Sequence, residues 1–117
     1  MLNIKEIKEI NKTGFKRQYQ SPQSYTLIIG RNVNGKPLPN HKWKGFKSCI
    51  DSFIKDHKSQ VFVNSEGLGE WEGIKENNNT WVFASKCFID KDRIRKLAKL
   101  FRQDAICLIS GSTQLIG

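Results

Sequence analysis

The chain has 117 residues, 38% hydrophobic and 26% charged, with 20 Lys and Arg against 11 Asp and Glu, a formal net charge of +9. That length suits one domain that buries its own core without metal or disulfide, and the surplus charge favours polyanions or acidic protein faces as partners. With neither a charged-then-apolar leader nor an apolar run of about 18 residues, the expectation is a cytoplasmic protein, neither secreted nor membrane-bound.

In chain order, Leu2, Ile4, Ile7 and Ile10 recur at helical spacing among lysines and glutamates, predicting a short amphipathic helix over 2–11. Gly14, Pro22 and many polar residues make 12–24 a connector, so residues 1–23 read as a helix and linker ahead of an α+β domain at 24–117. Residues 24–32 predict a strand, ended by the Asn34-Gly35, Pro37 and Pro39 turn signals. Trp43, Phe46, Ile50, Phe53 and Ile54 form one stripe that predicts a helix over 41–56, with Asn40 as its cap. A strand at 59–65 is followed by 67–79, whose three glycines and three consecutive asparagines predict a mobile loop or loose hairpin. Residues 80–89 predict a third strand. Asp90 and Asp92 open the next helix, with Ile94, Leu97, Ala98 and Phe101 on one face. Strands at 104–110 and, after Gly111, at about 113–116 complete the chain.

The resulting order is β-α-β-β-α-β, with an extra N-terminal helix and a short C-terminal strand. Two split βαβ units predict a single-domain α+β, ferredoxin-like sandwich with both helices on one face of an antiparallel sheet. An RNA-recognition module shares this order and stacks bases on aromatics of its first and third strands. Tyr25, Trp81 and Phe83 are the candidates for that role, although Tyr25, Leu27 and Ile29 share a face that also reads as core.

Charge is unevenly distributed. Residues 1–58 hold 12 basic and 4 acidic groups, 59–76 hold Lys75 against Glu66, Glu70, Glu72 and Glu76, and 77–117 hold 7 basic and 3 acidic groups. The densest cluster is the second helix, with Lys91, Arg93, Arg95, Lys96, Lys99 and Arg102. A second cluster, Lys36, Lys42, Lys44 and Lys47, surrounds the turn and the start of the first long helix. Both are candidate contacts for phosphates or an acidic partner, arginine by bidentate bonds and lysine as a point charge.

Catalytic, metal and cofactor signals are weak. Cys49, Cys87 and Cys107 are far apart within apolar patterns and read as buried free thiols, and with His41 and His57 they complete no zinc spacing. His57, at a helix end, reads as a charge complement to the helix C-terminus. Glu70 and Glu72 flank Trp71 in the glycine-rich loop and are the one carboxylate pair placed for acid–base work. No metal or cofactor is expected.

The run KLAKLFRQDAICLI at 96–109, a helix ending in Phe101 and feeding a strand through Gln103-Asp104-Ala105, resembles a family of small uncharacterised bacterial domains with a helix-Phe-Gly-Gln-strand motif. The resemblance extends over 24–116 and includes the turn asparagines Asn32, Asn34 and Asn40 and the loop residue Trp71. Arg102 stands where that family usually has glycine, and Ser85-Lys86 where it has an acidic pair. The resemblance implies a fold and no activity.

Taken together, the residues lead to an expected non-enzymatic basic protein that contacts nucleic acid or a nucleoprotein through its basic helix. The alternatives are an inhibitor from a mobile genetic element, of anti-restriction or anti-CRISPR type, and a small-ligand-binding domain built around 67–79 and Trp71.

Overall fold

The computed structural model describes residues 19–112 and Ile116. The helix expected over 2–11 lies outside them, as does most of the strand expected at 113–116. The described elements are β1 (Tyr19–Gly30), β2 (Asn32–Val33), β3 (Lys36–Pro37), α1 (Asn40–Asp56), β4 (Gln60–Trp71), β5 (Ile74–Cys87), α2 (Lys91–Leu100) and β6 (Cys107–Ser112). Four strands form one antiparallel sheet in the order β4-β5-β1-β6, and β2 and β3 form a separate two-stranded ribbon. The architecture is therefore α+β, with two helices on a four-stranded antiparallel sheet.

β1 begins at Tyr19, well before the expected start at 24, and its register with β5 shifts between Tyr19 and Gln23. Pro22 lies in that interval, which lets the strand continue past a residue with no N–H to donate. After Gly30 the chain turns through Asn34 (φ 51°) and Gly35 (φ 77°), both left-handed, as a two-residue hairpin between β2 and β3 demands. Asn40 does not cap α1: the cap position is Pro39, and the Asn40 side chain instead accepts a 2.8 Å hydrogen bond from Arg31.

Periodicity decides the core. Trp43, Phe46, Ile50, Phe53 and Ile54 of α1 are all buried, as their spacing predicts. They meet Tyr25, Leu27 and Ile29 of β1 and Trp81 and Phe83 of β5, with Ile94 of α2 closing the cluster. Tyr25 pairs across the strands with Phe83 and Leu27 with Trp81, so alternate residues of both strands face the helices together. Each fully buried Phe, Leu or Ile side chain contributes about 1.5–3 kcal/mol. Asp90 caps α2 as expected, accepting a 3.1 Å hydrogen bond from the Arg93 backbone N–H. Phe101 then stacks on Phe46, ring centroids 4.5 Å apart, and lies against Gly45 of α1.

The opposite face of the four-stranded part carries the alternate residues. They are Ser24, Thr26 and Ile28 of β1, Thr80, Val82 and Ala84 of β5, Gln60, Val63 and Ser65 of β4, and Cys107, Ile109 and Gly111 of β6. None is charged, and none belongs to the core packed under the helices.

Residues 67–79 are not a loop. They are strand, paired from Gly67↔Asn78 to Trp71↔Ile74 and closed by a turn at Glu72 (φ 50°) and Gly73 (φ 80°). The Asn78 side chain lies over Gly67 and Gly69, filling space that a side chain at either glycine would occupy. Cross-strand packing overrides the low β-propensity of these glycines and asparagines.

Two further expectations are corrected. Cys49 and Cys87 are only half-buried and Cys107 is exposed, because Cys107 sits on an edge strand and faces away from the helices. His57 is no charge complement. It is buried, its Nε2 accepts a 3.2 Å hydrogen bond from the Asp90 N–H, and its Nδ1 lies 2.7 Å from the Phe53 carbonyl oxygen. Both bonds are made together only by the neutral ring with its proton on Nδ1. The Ser85 hydroxyl donates to the His57 carbonyl at 2.9 Å, so this residue ties the end of α1 to the sheet and to the start of α2.

Candidate functional site

The α1 stripe that fills the core leaves polar residues along its flank, and three of them face the β4–β5 pair. Lys47, Ser48 and Asp51 from the helix and Asn64, Glu66, Asn79 and Trp81 from the strands line a cleft of about 430 Å³. Register explains the strand side: Asn64 pairs with Trp81 and Glu66 with Asn79, so all four project from the helix-facing side of the sheet. Asn79 occupies a position that Trp81 and Phe83 fill with core side chains, yet it is polar and only 3% exposed. Its amide donates a 2.8 Å hydrogen bond to Asn64 Oδ1, which holds both amides at the cleft floor.

Two charged groups meet across the cleft. Lys47 Nζ forms an ion pair with Glu66 and also lies 5.4 Å from the Trp43 ring centre, within cation–π range. The hydrogen bond from Lys47 holds the Glu66 carboxyl below the usual glutamate range, aided by a hydrogen bond from Trp43 and opposed by partial desolvation. Glu66 is therefore a fixed carboxylate at neutral pH. Asp51 pairs with Lys55 one helical turn on, at 2.8 Å, and still lines the cleft. Trp81, 1% exposed, has a buried indole N–H with no hydrogen-bond partner among the described residues. An unpaired buried donor costs about 1–3 kcal/mol.

Among the described residues no group of three or more His, Cys, Asp or Glu is placed to hold a metal ion. A second, larger cleft at the other end of the sheet is lined by Tyr25, Phe88, Asp90, Asp92, Arg95 and neighbours. Of its acids, Asp90 caps α2 and Asp92 pairs with Arg95. The first cleft keeps a charged pair, a second carboxylate, two amides and an orphan donor together.

The residues singled out in the sequence are scattered by comparison. Tyr25, Trp81 and Phe83 are 7%, 1% and 0% exposed, with Tyr25 stacked on Phe83 at 5.4 Å. They cannot stack on bases, because the helices cover the face they occupy. In α2, Arg93 is paired with Asp56 at 2.6 Å and lies over the Phe53 ring, and Arg95 is paired with Asp92. Lys91, Lys96, Lys99 and Arg102 are exposed, as are Lys36, Lys42 and Lys44. Lys47 alone of the second cluster enters the cleft. Glu70 and Glu72 stand at the exposed end of the β4–β5 hairpin, outside it. Sequence reasoning passed over Asp51, Asn64, Glu66 and Asn79. The available signal was Asn79, a polar residue in step with Trp81 and Phe83.

No family model matches this chain, and no curated protein matches it. Among solved structures, the chain is similar to a phage SAM lyase in complex with S-methyl-5′-thioadenosine, at 16% identity and a TM-score of 0.48, covering 80% of this chain and 82% of that one. The same kind of lyase in its apo state is similar at 16% identity and a TM-score of 0.47, covering 79% and 83%. The expectation of a non-enzymatic nucleic-acid-binding protein is corrected here: the side chains meant to stack on bases are inside the core, and Arg93 and Arg95 of the basic helix are paired with Asp56 and Asp92. Among the described residues, no helix is long and apolar enough to cross a membrane.

Proposed function

We propose that this protein is a small-molecule enzyme, that the Lys47–Glu66 cleft is its active site, and that its reaction is the lyase cleavage of S-adenosylmethionine. The observation that carries the proposal is the cleft itself: a fixed carboxylate, a lysine, a second carboxylate and two amides gathered beside the buried Trp81. Its volume of about 430 Å³ lies within the range of about 300–1,000 Å³ usual for small-ligand sites. The mixed charge suits a substrate that is itself mixed. Lys47 offers a cation to a carboxylate, Glu66 and Asp51 offer anions to an ammonium and a sulfonium, and Asn64 and Asn79 offer amide edges to a heterocycle. In the cleavage the substrate's own carboxylate oxygen bonds to the γ-carbon of the methionine chain, closing a five-membered lactone, as the carbon–sulfur bond breaks and its electron pair stays with sulfur, which leaves as the neutral thioether S-methyl-5′-thioadenosine. The cleft contributes position and electrostatics to that step.

The finer fold reading belongs with this one. The order β4-β5-β1-β6, antiparallel throughout, supports a ferredoxin-like sandwich in which two split βαβ units share one sheet. The free thiols support a reducing, cytoplasmic setting.

The test is to incubate the protein with S-adenosylmethionine and follow S-methyl-5′-thioadenosine by chromatography. Product should accumulate with the native chain and fall at least tenfold with Glu66→Gln or Asp51→Asn. Absence of product, together with unmoved Asn64 and Asn79 amide resonances at millimolar S-adenosylmethionine, would overturn the reading.

A further inference from the structure

The sheet has a second face whose chemistry differs from the rest of the molecule. The alternate residues of its four-stranded part are uncharged throughout, in a chain where 26% of residues are charged. Val63 and Ile109 are 44% and 55% exposed there, and Thr26, Ile28 and Val82 lie between them across the strands. Solvation alone favours polar and charged residues on a wet sheet face, alternating with the buried ones.

We infer that this face is the contact between copies of the chain, sheet against sheet. Three observations select a second copy as the occupant. With a net charge of +9, two copies repel over most of their surfaces, and an uncharged face is where they approach at least cost. A polyanion would find no cation within it, Lys86 standing only at its edge. The ends of the patch are self-complementary: along β5, Glu76 lies on this face beyond Thr80 and Asn78, its carboxyl over Gly30 and accepting a 3.0 Å hydrogen bond from the Asn32 N–H, and the strand's alternation puts Lys86 on the same face just beyond Ala84. The midpoint between them falls at Trp81, one residue from Val82 at the centre of the patch along the strand. A two-fold axis there brings Lys86 of each copy towards Glu76 of the other, so the residues that bound the patch attract rather than repel.

Size sets the strength. Four strands spaced about 4.8 Å apart and about six residues long give a flat patch of about 400 Å². A standard interface uses about 800 Å² per partner, so the association is a weak, concentration-dependent one.

Sedimentation velocity on the full chain from about 5 to 500 µM, at about 50 and 500 mM salt, reads the outcome. Association should rise with concentration and strengthen with salt, because screening removes the net repulsion. Val82→Lys should weaken it at least tenfold while leaving the unfolding curve close to native. Lys86→Glu should weaken it about threefold to fivefold, and Lys86→Glu combined with Glu76→Lys should restore it, a rescue that no other occupant would produce. Cys107 lies on the face and is exposed, so its reaction with a maleimide should slow as concentration rises. A native chain that stays monomeric up to 500 µM overturns the inference, with the face then left to solvent or to residues 1–18. So does association that Val82→Lys leaves unchanged.

Discussion

The same strands build two unlike faces, and adjacent residues differ as a result. Ile29 is fully buried under α1 while Ile28, one residue away, is only half-buried on the uncovered side. Trp81 and Phe83 are core, whereas Thr80 and Val82 between and beside them are not. The covered face gathers the rings and also the Lys47–Glu66 cleft, because the flank of a helix brings Lys47 and Asp51 over the strands. Among the described residues the other face has no such neighbour, and its paired positions carry no charge in the four-stranded part. Chemistry in this fold therefore depends on what a helix brings to the sheet, and association depends on what the helices leave bare.

Phe83→Ala tests the covered face most severely. The ring is 0% exposed, and its loss should cost about 3–5 kcal/mol, measured by chemical denaturation. The neighbouring pair sharpens the contrast: Ile29→Thr should cost about 2–4 kcal/mol by removing buried carbon and burying a hydroxyl, whereas Ile28→Thr should cost about 1 kcal/mol or less. Equal costs would mean that the two faces are equally packed. Replacing His57 by Ala should cost about 1–3 kcal/mol, since the Asp90 N–H then loses its acceptor.

The smallest effect is electrostatic. Because the folded Glu66 carboxyl is held below its ordinary range, its favourable pairing is complete above the unfolded value of about 4.3 and is lost as pH falls through the depressed folded value. Carboxyl resonances followed against pH should show Glu66 titrating below the other exposed glutamates, and Lys47→Met should return it to the ordinary range. A Glu66 unmoved by that substitution would mean that Lys47 does not set its charge.

The two helices and their buried stripes were legible in the sequence because a 3.6-residue period survives any arrangement of neighbours: Trp43, Phe46, Ile50 and Phe53 face inward wherever α1 packs. The Asp90 cap was equally local. The hairpin at 67–79 was legible only as one of two readings beside a mobile loop, since Gly67, Gly69 and Asn78 carry turn propensities and become strand only through pairing across the ladder. The role of His57 was not legible, since its ring is tied to an N–H 33 residues away. The cleft is the clearest case. Lys47, Asp51, Glu66 and Asn79 are ordinary residues along the chain, and no spacing joins them. Strand register places Glu66 beside Asn79, and the packing of α1 on that register brings Lys47 to Glu66. Composition, helical period and capping are properties of neighbours in sequence, and the amino acids alone determined them. The cleft, the buried histidine and the uncharged sheet face are properties of neighbours in space, and only the tertiary structure decided those.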